Sequence, residues 1–356
     1  MPETSPATRA QEPRRAGAPV GIELVRGRPN EELRSECARF LARFVQEGHL
    51  PRPFPGDESE DTWNDRLRWW WIDNPCAEDE TPTAIVLRAD GQIVGFHGLI
   101  PFDYITDGLR VPSLVAAAFF VDPAWRGHSM KIFLKVERLA RQFAIVDGSA
   151  SPEVASLLQR FGYEPAPPRS RTIYAARSTF LGRVLRPFLP VPEPSPRHEQ
   201  ARIVRNPGHV RPGPPHHDGR IRPDLRPEVL GWICRSGTNP RQSVGLVDPN
   251  DVLLACVVGF PKQARGITAF RILYSECWDD GDALRELAHR IVTDPHSSGL
   301  PAATQLILWS WFDGDTFHPG GGWTRPAPFL LFHKTPEAFR PHSRHYQAGE
   351  GDLILL

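Results

Sequence analysis

The residues best placed to do chemistry form one short run, Arg126-Gly127-His128-Ser129-Met130-Lys131. Before it stands an apolar stretch, Val115-Ala116-Ala117-Ala118-Phe119-Phe120-Val121, stopped by Asp122-Pro123. A short apolar run bounded by such a turn signal reads as a buried strand. After it, Ile132, Val136, Leu139 and Phe143 recur at three- and four-residue steps, which predicts a helix over 131–141 with one apolar face. A strand, a tight turn and a helix start leave several backbone N–H groups pointing one way, at the positive end of the helix dipole. Such a place takes an anion, and the phosphate of a cofactor is its usual occupant. Phe120 and Val121 lead into it from the strand. Ser129 is small enough for close backbone approach, and Lys131 either adds a cation or obstructs the site by its bulk.

These residues need a scaffold, and the chain is long enough for two. At 356 residues it suggests two domains, each with its own core. Lys plus Arg and Asp plus Glu both number 42, so no net field draws the chain to nucleic acid or to an anionic surface. The five cysteines have no C-x-x-C spacing, which points to reduced, buried thiols rather than disulfides or zinc. His216-His217 has no partner at ligand spacing, so no metal is expected. The N-terminus carries arginines without an apolar h-region, and no apolar run approaches the roughly 20 residues needed to span a bilayer. The expectation is a soluble, cytoplasmic protein.

In order, residues 1–20 read as a disordered tail. Ile22–Val25 reads as a strand, and 31–46 as a helix presenting Leu33, Cys37, Phe40, Leu41 and Phe44. Arg68 to Ile72 is an aromatic segment closed by an Asn74-Pro75 turn. Strands at 84–88 and 92–99 flank Asp90-Gly91, a hairpin signal. Beyond the central strand and helix come a short strand at 143–146, a helix at 151–161 ended by Gly162, and a last strand at 171–176. Phe180 to Leu189 is short, apolar and basic: either a linker helix packed on one domain or a segment lying on a membrane surface.

The order β-α-β-β-β-α-β-α-β, with Arg126-Gly127 at the fourth strand and Phe161-Gly162-Tyr163 closing the late helix, resembles the GNAT superfamily of acyl-CoA-dependent acyltransferases over about residues 20–178. More narrowly, the Trp-rich segment ending Asn74-Pro75, the Ile100-Pro101 exit and Asp122-Pro123-x-x-Arg126-Gly127 resemble bacterial GNAT proteins encoded with polysaccharide-assembly enzymes, which often carry two copies of the fold. A weak internal repeat agrees. Asn74-Pro75 precedes Val94-Gly95 much as Asn239-Pro240 precedes Val258-Gly259, and strands at 243–247, 252–260, 268–274 and 304–309 with a helix at 282–292 repeat the first order. Leu353–Leu356 offers a closing strand. The reading is an α/β protein of two tandem GNAT-like folds: an N-terminal domain over 21–191, a linker at 192–202 and a C-terminal domain over 203–356. Asp279-Asp280 stands where the second copy would hold phosphate, so only the first is expected to bind CoA.

The resemblance implies that Arg126 to Lys131 hold the CoA pyrophosphate, with Ser129 and Lys131 departing from the family's Gly and Gly/Ala. Ser149 and Ser151 are placed to bond the pantetheine arm, Ser151 equally as a helix cap. Acetyl-CoA or another acyl-CoA is the implied co-substrate, and an amine, first an amino sugar or polysaccharide precursor, the implied acceptor. Catalysis needs a base for the ammonium proton and an acid for the leaving thiolate. The family's Glu is missing from 114–121, and Leu158 stands where many relatives place a Tyr acid. His97, Asp103 and Tyr104 are the substitutes within reach, His97 with a suitable intrinsic pKa. The rival is a non-catalytic scaffold with a decayed CoA site. Trp69, Trp70 and Trp71 read as a core and interface plug, or as a sugar-stacking surface.

Overall fold

The computed structural model describes residues 19–50, 56–148, 152–166, 169–185, 187–214, 221–235, 241–278, 281–312, 321–327 and 331–339. The first half runs β1 (Val20–Arg26), α1 (Glu31–Gln46), α2 (Glu60–Trp71), β2 (Pro82–Ala89), β3 (Gln92–Pro101), β4 (Tyr104–Thr106), β5 (Leu109–Val111), β6 (Ser113–Val121), α3 (Ser129–Leu139), β7 (Ala144–Asp147), α4 (Pro152–Arg160), β8 (Glu164–Pro165), β9 (Arg169–Ala175) and α5 (Phe180–Leu185). The second runs β10 (Arg202–Arg205), β11 (Arg211–Pro212), β12 (Arg222–Pro223), α6 (Pro227–Cys234), β13 (Gln242–Val247), β14 (Val252–Ala264), β15 (Ile267–Cys277), α7 (Asp282–Thr293), β16 (Leu306–Phe312), β17 (Trp323–Ala327) and β18 (Phe332–Lys334).

Local chemistry fixes most of these bounds. Asn30 Oδ1 accepts the Leu33 N–H at 3.0 Å and starts α1, whose Cys37, Phe40, Leu41 and Phe44 are buried. Ser59 caps α2 in the same way. The aromatic segment is the last turn of this helix, which the sequence pattern did not reveal. Asp90 and Gly91 both take positive φ in the predicted β2–β3 hairpin, and so do Asp107 and Gly108 between β4 and β5. All five cysteines are free thiols, and burial pushes Cys37 and Cys76 up to about 12. Leu353–Leu356 and His216-His217 lie outside the described residues.

Each half builds a mixed sheet of the same plan. In the first, the order is β1-β2-β3-β6-β7-β18-β8, with β6 and β7 parallel and α3 between them in sequence. In the second it is β10-β13-β14-β15-β16-β9-β17, with β15 and β16 parallel and α7 between them. One expectation is corrected here. The strand read at 171–176 as the last of the first fold is β9, and it pairs with β16 and β17 in the second sheet. Reciprocally, β18 from the end of the described chain lies between β7 and β8 in the first. The halves thus exchange strands.

The seam between the halves is a paired tryptophan contact. Trp69 and Trp232 stack at 4.9 Å, and each indole N–H donates to the other residue's carbonyl, at 2.9 and 2.7 Å. Arg241 lies over the Trp69 ring at 4.8 Å. Asn74, fully buried, donates to the Trp70 and Pro101 carbonyls and accepts the Cys76 N–H, tying α2 to the end of β3. Trp70 and Trp71 are fully buried too, so the tryptophan run plugs core and interface and offers no stacking face.

Candidate functional site

The pairing of β6 and β7 ends early. Ser113–Ala116 pairs with Ala144–Asp147, and β6 then continues past the end of β7 to Val121, paired only with β3. Its pairing with β3 is irregular in this stretch. Phe96 pairs with Phe120 but Gly98 with Ala117, so β6 carries one extra residue, and Ala118 sits at φ 50. A non-glycine residue in that region costs about 1–2 kcal/mol, held by the surrounding sheet. Beyond Ala116, β6 has no strand partner on the β7 side among the described residues, which leaves a wedge there before the start of α3, and the bulge, which bends its strand, falls in this stretch.

The turn differs from its expected form. Pro123–His128 is a 3-10 helix running straight into α3, and no residue from 122 to 131 has positive φ. Asp122 caps it by accepting the Ala124 N–H at 3.0 Å, and Ser129 donates its N–H to the Arg126 carbonyl. An open loop of free amides is therefore replaced by a helical turn that consumes part of them. α3 itself starts at His128 without a side-chain cap, and Arg126, Gly127 and Met130 face solvent. Lys131 does not obstruct the wedge: its ammonium donates to the Val20 carbonyl at 3.1 Å, toward β1. Phe120 turns to the opposite face and stacks on Phe44 at 4.8 Å, whereas Val121 is buried on the α3 side. Ser149 and Ser151 lie outside the described residues, as do Asp279-Asp280 of the second copy.

Aromatic rings line the wedge. Phe119 meets Phe133 of α3 edge-on at 5.8 Å, and Phe133 stacks on Phe161, just past α4, at 5.8 Å. Leu158 is buried beside them. Gly162 takes φ 77 and ends α4, and Lys334 of β18 donates to both Glu137 of α3 and the Phe161 carbonyl. A residue of the second half thus holds α3 and α4 together, a link that no local pattern announces.

The three catalytic candidates are not brought together. His97 lies on the α3 face of the sheet, edge-on to Phe119 at 5.2 Å. It is 7% exposed, its Nδ1 has no hydrogen-bond partner, and burial lowers its pKa to about 4. Asp103 is buried at the seam, accepting from Arg110 Nε at 2.8 Å with Arg226 at 3.7 Å. Burial raises its carboxyl against the pull of these two arginines. Tyr104 is buried against Phe102 at 5.5 Å in a strand that pairs with β12. Asp103 and Tyr104 hold the halves together, and neither borders the wedge. Among the described residues no group of three His, Cys, Asp or Glu is placed to hold a metal.

The buried imidazoles set an acid limit. His97 and His333 both titrate near 4 in the folded chain and near 6.5 when exposed. Between those values the unfolded state binds protons that the folded state does not, so stability is complete above pH 6.5 and falls as pH drops toward 4. Each histidine contributes a slope of about 1.4 kcal/mol per pH unit. Urea denaturation from pH 7 to 4.5 checks this, and His97→Leu is expected to remove about half of the slope.

No protein-family model matches the chain, and no curated protein does. Solved structures do. A probable N-acyltransferase from Enterococcus faecalis V583 aligns with TM-score 0.54 and 14% identity, over 88% of this chain and 72% of that one. A GCN5-related N-acetyltransferase from Anabaena variabilis gives 0.53 and 12%, over 88% and 72%. One from Kribbella flavida gives 0.52 and 13%, over 88% and 71%. The chain has the α/β fold of the GCN5-related N-acetyltransferases. At these identities the likeness is one of fold.

Proposed function

We propose that the chain transfers an acyl group, most simply acetyl, from CoA to an amine, with the donor held by the N-terminal fold. The observation that supports this reading is the bulge at Ala118, in the stretch of β6 beyond the end of β7, close in sequence to the uncapped start of α3. The pyrophosphate would lie at Arg126, Gly127, His128, Ser129 and Met130, where exposed backbone and the helix dipole favour an anion. The thioester arm would enter the wedge past Phe119. An acceptor amine attacks the thioester carbonyl directly: the C–N bond forms, the C–S bond breaks, and the amine's proton ends on the thiol. An amino sugar or polysaccharide precursor is the acceptor class that the sequence resemblance favours.

A second reading rests on the rings of Phe119, Phe133 and Phe161 and on the 3-10 turn, which together close the cleft and leave a non-catalytic scaffold. Thermal unfolding with acetyl-CoA separates the two. A ligand at 100 times its Kd stabilises by about 2.7 kcal/mol, a rise of about 5–10 °C for a domain of about 150–250 residues. We expect that rise for the wild type and for Lys131→Ala, and its loss in Ser129→Glu, which sets a carboxylate at the helix start. No rise in the wild type but one in Phe119→Ala establishes the closed cleft instead.

A further inference from the structure

One apolar, basic face remains outside this account. α5 packs inward through Gly182, where an added Cβ would lie 1.9 Å from the Ala176 carbonyl oxygen. Its opposite side therefore faces out. Phe180, Val184 and Phe188, at steps of four, are 81%, 52% and 74% exposed. Trp323, on the edge strand β17, is 54% exposed. The two segments are joined, because Gly322 donates its N–H to the Pro190 carbonyl at 2.8 Å. The face is pinned as well: Arg177 donates to the Gly182 and Leu189 carbonyls at either end of the α5 turn.

Charge says what covers it. Between Glu164 and Glu193 the chain has five arginines, Arg169, Arg171, Arg177, Arg183 and Arg186, and no acidic residue. Residues 321–327 add Arg325 and again no acid. Arg183 and Arg325 are exposed. Exposed aromatic rings beside arginines, with no acidic residue within 165–192 or 321–327, suit the boundary of an anionic bilayer, where rings enter the headgroup layer and guanidinium groups meet phosphate. A second copy is disfavoured, since a two-fold contact would set these arginines against their own equivalents. We propose that α5 and β17 form a docking face for an anionic membrane surface. The overall charge balance of zero hides this local excess.

Co-sedimentation of the full chain with phosphatidylcholine vesicles, with and without about one-third phosphatidylglycerol, tests it. Binding to the anionic vesicles alone, weakened by salt, is the expected result. Phe180→Ser with Phe188→Ser should reduce binding at least about tenfold, and Arg183→Gln about fivefold. Both changes lie on exposed side chains, and an unchanged unfolding midpoint verifies that the variants fold. Equal binding to both vesicles, no binding, or binding indifferent to these substitutions overturns the proposal. So does a wild-type dimer that the double substitution converts to monomer without any vesicle binding.

Discussion

Trp232→Ala is expected to lower the unfolding free energy by about 4 kcal/mol. Removing a buried tryptophan costs about 3–5 kcal/mol in lost burial and cavity. Trp232 is fully buried and stacked on Trp69 at the centre of the seam. The substitution also frees the Trp69 carbonyl from the indole that bonds it at 2.7 Å, while the Trp69 indole keeps its bond to the backbone carbonyl of residue 232. Trp232→Phe should recover most of the packing and none of the bond, and so fall between the two. Urea denaturation followed by far-ultraviolet dichroism gives the size of the loss. A loss under 1 kcal/mol for Trp232→Ala would show that the seam adds little to the stability of either half.

Phe332→Ala is expected to cost about 3–4 kcal/mol, and to do so in the half of the molecule far from it in sequence. Phe332 is 2% exposed and packs with Ile132, Val136, Leu158 and Tyr163, all of the first fold. Its backbone pairs with both Asp147 and Pro165, so the ring anchors β18 in the first sheet. Amide exchange should therefore accelerate in β7 and α3 before it does in β14. If β14 and β15 open first, β18 is not what holds the first sheet closed at that edge.

Much of this architecture was legible in the residues. Asp90-Gly91 and Gly162 each specify a turn or a helix end by access to positive φ, and the elements they bound are present. The second half repeats the first closely enough for β13, β14, β15, β16 and α7 to be found, while β10, β11, β12, α6, β17 and β18 were not. What was hidden depends on partners distant in sequence. α2 was obscured because three adjacent tryptophans bury on every side and show no apolar stripe. The destination of β9 was invisible, because Arg169–Ala175 has the same alternation in either sheet. At the proposed site, the strand before Arg126-Gly127 and the helix after it were legible, but the conformation between them follows from Asp122 and Pro123, which start a helical turn early. The face that His97 takes was not legible, since a strand shows opposite faces at successive residues and the bulge at Ala118 cannot be read from Ala-Ala-Ala.

The exchanged strands also bear on synthesis. Residues 169–175 leave the ribosome well before 306–312 and 323–327, the strands that flank them. The first sheet in turn waits for 332–334 to fill the place between β7 and β8. Neither sheet can finish until residues of the second half have emerged, and pairings this distant are slow to close. Until then β9 is a bare edge, open to chaperones or to a neighbouring nascent chain.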